Sequence, residues 1–203
     1  MSVNIEGRVW RFGKDIDTDE LFAGRFIMIG DERDPEAYKR SIIKGAFESL
    51  STIGKENQNM PQGFIEALSR VVSGYEKDVQ EDKMALKGHI IVAGENFGIG
   101  SSRQQAAEAL RFFGIAACLA ETIHRIFFRN FWNLNGIAID QKGISSLFET
   151  GDIARVDLVQ SVVHNLTNKK EIKLGIKLPP EFIAMYEAGG LIPYHRKRTH
   201  KLL

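Results

Sequence analysis

Residues 94–110 read GENFGIGSSRQQAAEAL, three glycines, two serines and an arginine set ahead of an apolar run at helical spacing. The stretch is entered from KGHIIVAG (87–94), a short β-branched run bounded by glycines that reads as a buried strand. It is left through RQQAAEALRFFG (103–114), a helix that Gly114 ends. IAACLAE (115–121) then reads as a second buried strand, ETIHRIFFRNFWNLNG (121–136) as a helix closing at Gly136, and IAID (137–140) as a short strand. Strand, helix, strand, helix, strand at this spacing predicts an α/β layer with parallel pairing.

Outward from that unit the pattern changes twice. Toward the N-terminus, IEGRVWRF (5–12) alternates like a first strand and leads into the polar turn GKDIDTDELFAGR (13–25). Residues 34–84 are helical in pattern: Ile42, Phe47 and Leu50 share one face, Phe64, Leu68, Val71 and Val72 another, with the turn-like ENQNMPQG (56–63) between them. We read 1–203 as one domain and 34–84 as a helical insertion within it. Toward the C-terminus, 152–178 alternates with a turn at TNKKE, PPEFIAMYEAGG forms a terminal helix stopped by Gly189-Gly190, and RKRTHK reads as a solvated basic tail.

Composition bounds the function. A net charge of +1 gives no general reason to expect nucleic acid or a membrane as partner, and no stretch approaches the length of a membrane span. The single cysteine, Cys118, excludes an internal disulfide framework and any iron–sulfur cluster or zinc held mainly by this chain's own thiolates. With no signal-peptide core in MSVNIEGRVW, the expectation is a cytoplasmic protein. Asp15, Asp17, Asp19 and Glu20 resemble the start of a calcium loop, but its glycine and its distant glutamate are absent, so no metal site is expected.

The glycine-rich turn fails the common phosphate devices. A P-loop needs Gly-Lys-Ser/Thr, the dinucleotide fingerprint needs a glycine where Arg103 stands, and a nucleophile elbow needs a serine between spaced glycines. Two readings remain. In one, Gly98 and Gly100 let the backbone approach a ligand, helix-end N–H groups point at it, and Arg103 offers a planar fork to a carboxylate. In the other, Ser101 with Gln104, or Ser102 with Gln105, is a capping box that only starts a helix. Arg103 on the first turn, where the helix dipole disfavours a cation, favours the small-anion reading.

GENFGIGSSR, followed by an apolar strand, RIFFRN and NGI, resembles the swivelling domain of the aconitase superfamily. GRVWRFGKDIDTD near the start and EAGGLIPY near the end are similar to the two ends of a stand-alone small subunit, as in the isopropylmalate dehydratase and homoaconitase branch. The resemblance implies an aconitase-type swivelling β/β/α fold. It also implies a heteromeric hydro-lyase, active only with a large subunit that carries a [4Fe–4S] cluster, in a heterodimer or heterotetramer acting on a small dicarboxylic acid. Within that branch the expected reaction is interconversion of 3- and 2-isopropylmalate, a step of leucine biosynthesis. By carry-over, Ser101 is similar in position to the serine whose alkoxide abstracts a proton next to a carboxylate. Arg103 and Ser102 would hold that carboxylate, and Asp19 resembles an acidic residue lining the site.

Substrate choice in this family follows the loop after Arg25. Here Phe26-Ile27-Met28-Ile29 presents an apolar wall, with Met28 at the variable position, which suits an isopropyl group and leaves an extra carboxylate unpaired. Citramalate and 2,3-dimethylmalate fit nearly the same wall, and homoaconitate or a non-catalytic carboxylate-binding role stay open as alternatives. Two positions depart from the family pattern: Gln104-Gln105 removes a negative charge beside Arg103, and His124 replaces a small residue, where a partly buried structural histidine is expected.

Overall fold

The computed structural model describes residues 3–27, 33–56 and 59–199. Seven strands form one mixed sheet in the order β4-β3-β2-β1-β5-β6-β7. The strand β1 (Asn4–Arg11) is shared between its two halves. Val9–Arg11 pairs in parallel with β2 (Ile90–Ala93), whereas Asn4–Arg8 pairs antiparallel with β5 (Ile153–Asp157).

On the parallel side, β2, β3 (Ala117–Ala120) and β4 (Ile137–Asp140) follow one another in register, as the strand–helix–strand pattern predicts. Every residue of β2 and β3 is buried, the condition of strands covered on both faces. The antiparallel side runs β5, β6 (Val162–Asn165) and β7 (Lys170–Lys173), and the lysine-bearing edge strand β7 is largely exposed.

The helices come in chain order. After β1 come a one-turn helix α1 (Thr18–Leu21), then α2 (Pro35–Ser49) continuing into a π-helical turn at Leu50–Gly54, α3 (Phe64–Lys77) and the short α4 (Gln80–Lys83). Two crossover helices join the parallel strands, α5 (Gln104–Phe113) and α6 (Arg125–Asn133), and the chain ends in α7 (Pro180–Ala188) and α8 (Leu191–Thr199). The inner face of α5 is Ala106, Ala109, Leu110 and Phe113, all fully buried; the alanines keep the helix close to the sheet. The aromatic residues Phe127, Phe131 and Trp132 of α6 fill the space beside it. Residues 34–84 are tied to the rest by buried polar bonds. Ser49 Oγ on α2 accepts the Ala23 N–H at 2.9 Å and donates to Gly45 O at 2.8 Å, and the Tyr38 hydroxyl donates to Glu108 Oε2 on α5 at 2.7 Å.

One expectation changes at the C-terminus. Arg196, Lys197 and Arg198 are exposed, as a solvated basic segment should be, but they form the last turn of α8, where cations face the negative end of the helix dipole.

Candidate active site

The site is built at the carboxyl ends of β1 and β2, where open α/β sheets place their ligands. Past the strands, the two following loops stay hydrogen-bonded to each other. Phe12 N–H donates to Val92 O at 2.7 Å, Gly94 N–H to Gly13 O at 2.8 Å, Asp15 N–H to Glu95 O at 2.7 Å, and Gly98 N–H to Ile16 O at 2.8 Å. The zipper ends where Thr18 N–H donates to Ile99 O at 2.8 Å, two residues before Ser101. The loop after β3 joins it, since Phe97 N–H bonds Thr122 O at 3.0 Å and His124 N–H bonds Phe97 O at 2.9 Å. A glycine-rich loop thus gains fixed positions from backbone bonds on both sides.

Three of the residues selected from the sequence, Ser101, Arg103 and Asp19, meet there, joined by Thr18. Thr18 Oγ1 lies 2.9 Å from Ser101 Oγ and also accepts the Ser101 N–H at 2.9 Å. The Arg103 N–H donates to Ser101 Oγ at 3.3 Å. Arg103 Nη2 pairs with Asp19 Oδ1, which also accepts the Gly24 N–H at 3.0 Å. The guanidinium is 19% exposed, and its Nε is buried with no partner among the described residues, a donor aimed at nothing the protein supplies. Ser102 is exposed and its hydroxyl makes no hydrogen bond among the described residues. Met28 lies outside the described residues. Just before it, Arg25 stacks its guanidinium 4.8 Å from the centre of the Phe26 ring, and Ile27 is 41% exposed.

Several readings of the turn are revised. No capping box forms on Ser101 or Ser102; Arg103 itself is the N-cap of α5 in an extended conformation, with no side chain capping the helix. The capping box lies instead on the other loop, where Asp17 Oδ1 accepts the Asp19 N–H at 2.7 Å and Glu20 Oε1 accepts the Asp17 N–H at 3.2 Å. The space beside the two glycines is also used internally. A Cβ on Gly98 (φ 75°) would sit 2.5 Å from the Phe127 ring, and one on Gly100 (φ 102°) 2.4 Å from both carboxylate oxygens of Asp17. These glycines let the chain pack on itself rather than on a ligand. His124 is exposed at the N-cap of α6, not partly buried as expected; its backbone N–H bonds Phe97 O and its side chain makes no cap bond.

The acids that suggested calcium each serve a protein donor, Asp15 Oδ1 accepting from Asn96 Nδ2 at 2.7 Å and the others as above. Among the described residues, no group of three or more His, Cys, Asp or Glu could hold a metal ion. Cys118 is wholly buried in β3, and burial pushes its thiol pKa up, away from the thiolate that a metal needs. Gln104 and Gln105 line a cavity of about 610 Å³ with Tyr38, Lys39, Glu108 and Phe112, adjacent to the site but without Ser101 or Arg103. The Gln104 amide donates to Glu108 Oε1 at 2.8 Å, so a glutamate there would set two carboxylates against each other.

Two contributors have no signal in the sequence. Thr18 lies between two acids like any helix-start threonine. Gly24 matters by its missing side chain, since a Cβ there would lie 2.7 Å from Arg103 Nη1.

A half-parallel, half-antiparallel sheet with a serine and an arginine on a glycine-rich loop at the parallel strand ends is a domain of the aconitase type. The family model described as Aconitase C-terminal domain matches residues 31–143, and the chain belongs to that family. It is 34% identical to the isopropylmalate/citramalate isomerase small subunit of Methanocaldococcus jannaschii, over 96% of this chain and 95% of that protein. It is 35% identical to the 3-isopropylmalate dehydratase small subunit of Sulfurimonas denitrificans, over 94% and 93%. The crystal structure of 3-isopropylmalate dehydratase from M. jannaschii superposes with a TM-score of 0.70 at 29% identity, covering 98% of each chain.

Proposed function

We propose that this chain is the small subunit of a hydro-lyase that interconverts 3-isopropylmalate and 2-isopropylmalate, the step of leucine biosynthesis named for its relatives. The observation that carries the reading is the position of Ser101 Oγ, which receives the Arg103 N–H at the open end of α5, with the Arg103 guanidinium alongside. Near full-length identity above 30% to several small subunits of this name supports it.

In the dehydration half, the Ser101 oxygen takes the proton from the carbon next to a carboxylate, the C–H electron pair becomes the double bond, and the hydroxyl on the adjacent carbon leaves. Rehydration in the opposite sense returns the proton from Ser101 and places the hydroxyl on the other carbon. A serine hydroxyl is a very weak acid, so its charged form depends on the α5 N–H groups and the Arg103 cation in a site closed to water. Arg103 holds the substrate carboxylate through the donors that Asp19 leaves free, Ser102 hydrogen-bonds the same group, and Asp19 keeps the guanidinium in place. The one thiol of this chain is buried in β3, too few and too enclosed to hold a cluster on cysteines, so the cofactor would be held by a large subunit. There a [4Fe–4S] cluster would supply Lewis-acid assistance to the departing hydroxyl. No helix of the described residues is long and apolar enough to cross a membrane, and we read the assembly as cytoplasmic.

A second reading keeps the chemistry and changes the acid. The M. jannaschii relative carries citramalate in its name, and a methyl in place of an isopropyl group costs only a little apolar contact.

The test is anaerobic co-expression with the candidate large subunit, following the absorbance of the unsaturated product, with Ser101→Ala as control. Turnover of 3-isopropylmalate that needs both chains and drops at least about 10³-fold in Ser101→Ala supports the assignment. Turnover of citramalate alone selects the second reading. A stable complex inert toward both acids overturns the enzymatic reading and leaves a carboxylate-binding or regulatory domain.

A further inference from the structure

We infer that Thr18 is the residue that positions Ser101 and stabilises its charged oxygen, an inference that rests on the role proposed for Ser101. The side chain of Thr18 is 1% exposed, so its hydroxyl must find partners within the protein. One of its two lone pairs accepts the Ser101 N–H at 2.9 Å, which fixes the serine backbone. Its single proton has two places to go: Ser101 Oγ at 2.9 Å, or Asp17 Oδ1 at 3.5 Å, an oxygen that already accepts the Asp19 N–H at 2.7 Å. The nearer acceptor is Ser101 Oγ.

The consequence depends on the state of Ser101. While the serine is neutral, its own proton can point to Thr18 Oγ1 and the threonine proton turns to Asp17. When Ser101 has released its proton to water and is charged, the threonine hydroxyl rotates and donates to it, so that Thr18 O–H and Arg103 N–H converge on the alkoxide. Both donors are in place before the reaction, and only a light hydroxyl rotor has to turn. The position of Thr18 is itself secured. Its N–H holds Ile99 O, and it begins a helix whose capping box on Asp17 and Glu20 prevents that end from fraying. Among the described residues, the hydrogen-bonding neighbours of Ser101 Oγ are Thr18 and the Arg103 N–H, and neither is a general base. Stabilising the charged oxygen is therefore what the protein contributes here, and the Thr18 hydroxyl adds to the Arg103 N–H and cation in doing so.

Thr18→Val keeps the shape and removes donor and acceptor together; Thr18→Ser keeps both. In the anaerobically reconstituted two-subunit complex, Thr18→Val is expected to lower kcat about 10²–10³-fold, the size of one lost oxyanion donor, with KM within about threefold. Its activity is expected to need a higher pH than the wild type, because ionising Ser101 has become harder. Thr18→Ser should recover kcat to within about tenfold of wild type. The second readout needs no turnover. In the isolated chain, amide hydrogen exchange at Ser101 should accelerate at least tenfold in Thr18→Val and stay near wild type in Thr18→Ser, with circular dichroism reporting that both remain folded.

Wild-type kcat in Thr18→Val, a loss confined to KM, or equal losses in both variants would overturn the role in charge stabilisation. Unchanged Ser101 exchange in Thr18→Val would overturn the positioning role. If the wild-type complex turns over neither acid, the proposed reaction falls, and the exchange data alone decide whether Thr18 holds Ser101.

Discussion

Two helix N-termini meet at Ser101, and they are finished in opposite ways. Helix α1 has only four residues, yet it carries a complete capping box on Asp17 and Glu20. Helix α5 is ten residues long and buried along one face, yet its N-cap is an arginine with no side chain bonded to the first-turn amides. Stability alone would favour the reverse, because an uncapped N-terminus leaves donors unsatisfied and a cation there opposes the dipole. The difference is that of a support and a working surface. The sealed helix holds Thr18 in place, and the open one, in the function proposed above, keeps its N–H groups and guanidinium for an anion.

The largest effect that bears on this contrast comes from closing the open end. Arg103→Ser installs a good N-cap residue while removing the guanidinium. We expect kcat/KM to fall about 10²–10³-fold while the thermal midpoint stays within about 2 °C of wild type or rises, because a new cap offsets a partly exposed ion pair. A drop of more than about 5 °C would mean that Arg103 is a structural clamp and that the contrast is misread.

Gly100→Ala tests the joint between the two ends. At φ 102°, with the new methyl 2.4 Å from the Asp17 carboxylate, the variant should lose about 3 kcal/mol in chemical denaturation. Combining it with Asp17→Ala should cost less than the sum of the two single changes, since the clash partner is gone. A simple sum would show that backbone strain, not contact with Asp17, makes glycine necessary.

The smallest effect is on the sealed end. Asp17→Ala removes the cap of α1 and should cost about 1 kcal/mol, a fall of about 2–4 °C in midpoint for a chain of this length. If α1 only covers the core, activity will follow stability; if it supports Ser101, kcat will fall further than the stability loss accounts for.

How much of this could be read in advance depended on the range of the interactions. The parallel half was legible because β2, β3 and β4 are short apolar runs with glycine or polar boundaries, and α5 and α6 show their periodicity in adjacent residues. The last helix was missed because Arg196-Lys197-Arg198 has the charge of a solvated tail, and nothing local reveals that it closes α8. At the site, Ser101, Arg103 and Asp19 could be selected from their motif, but what they touch could not. Ser101 meets Thr18 and Arg103 meets Asp19 across 83 and 84 residues of chain. For the same reason Ser101-Gln104 and Ser102-Gln105 had the spacing of a capping box that the fold did not use. Local spacing lists the caps a helix could have, and tertiary contacts decide which one it takes.

The zipper between the loops after β1 and β2 also sets a timetable. Thr18 is made early and Ser101 only 83 residues later, with all of α2, α3 and α4 between them. Bringing the two hydroxyls together closes a loop of that whole length, an entropic debt settled only when β2 docks beside β1. A chain still on the ribosome, or one that has opened along that seam, therefore has not yet brought the proposed base, Ser101, against Thr18. Reactivity becomes a report on completed folding.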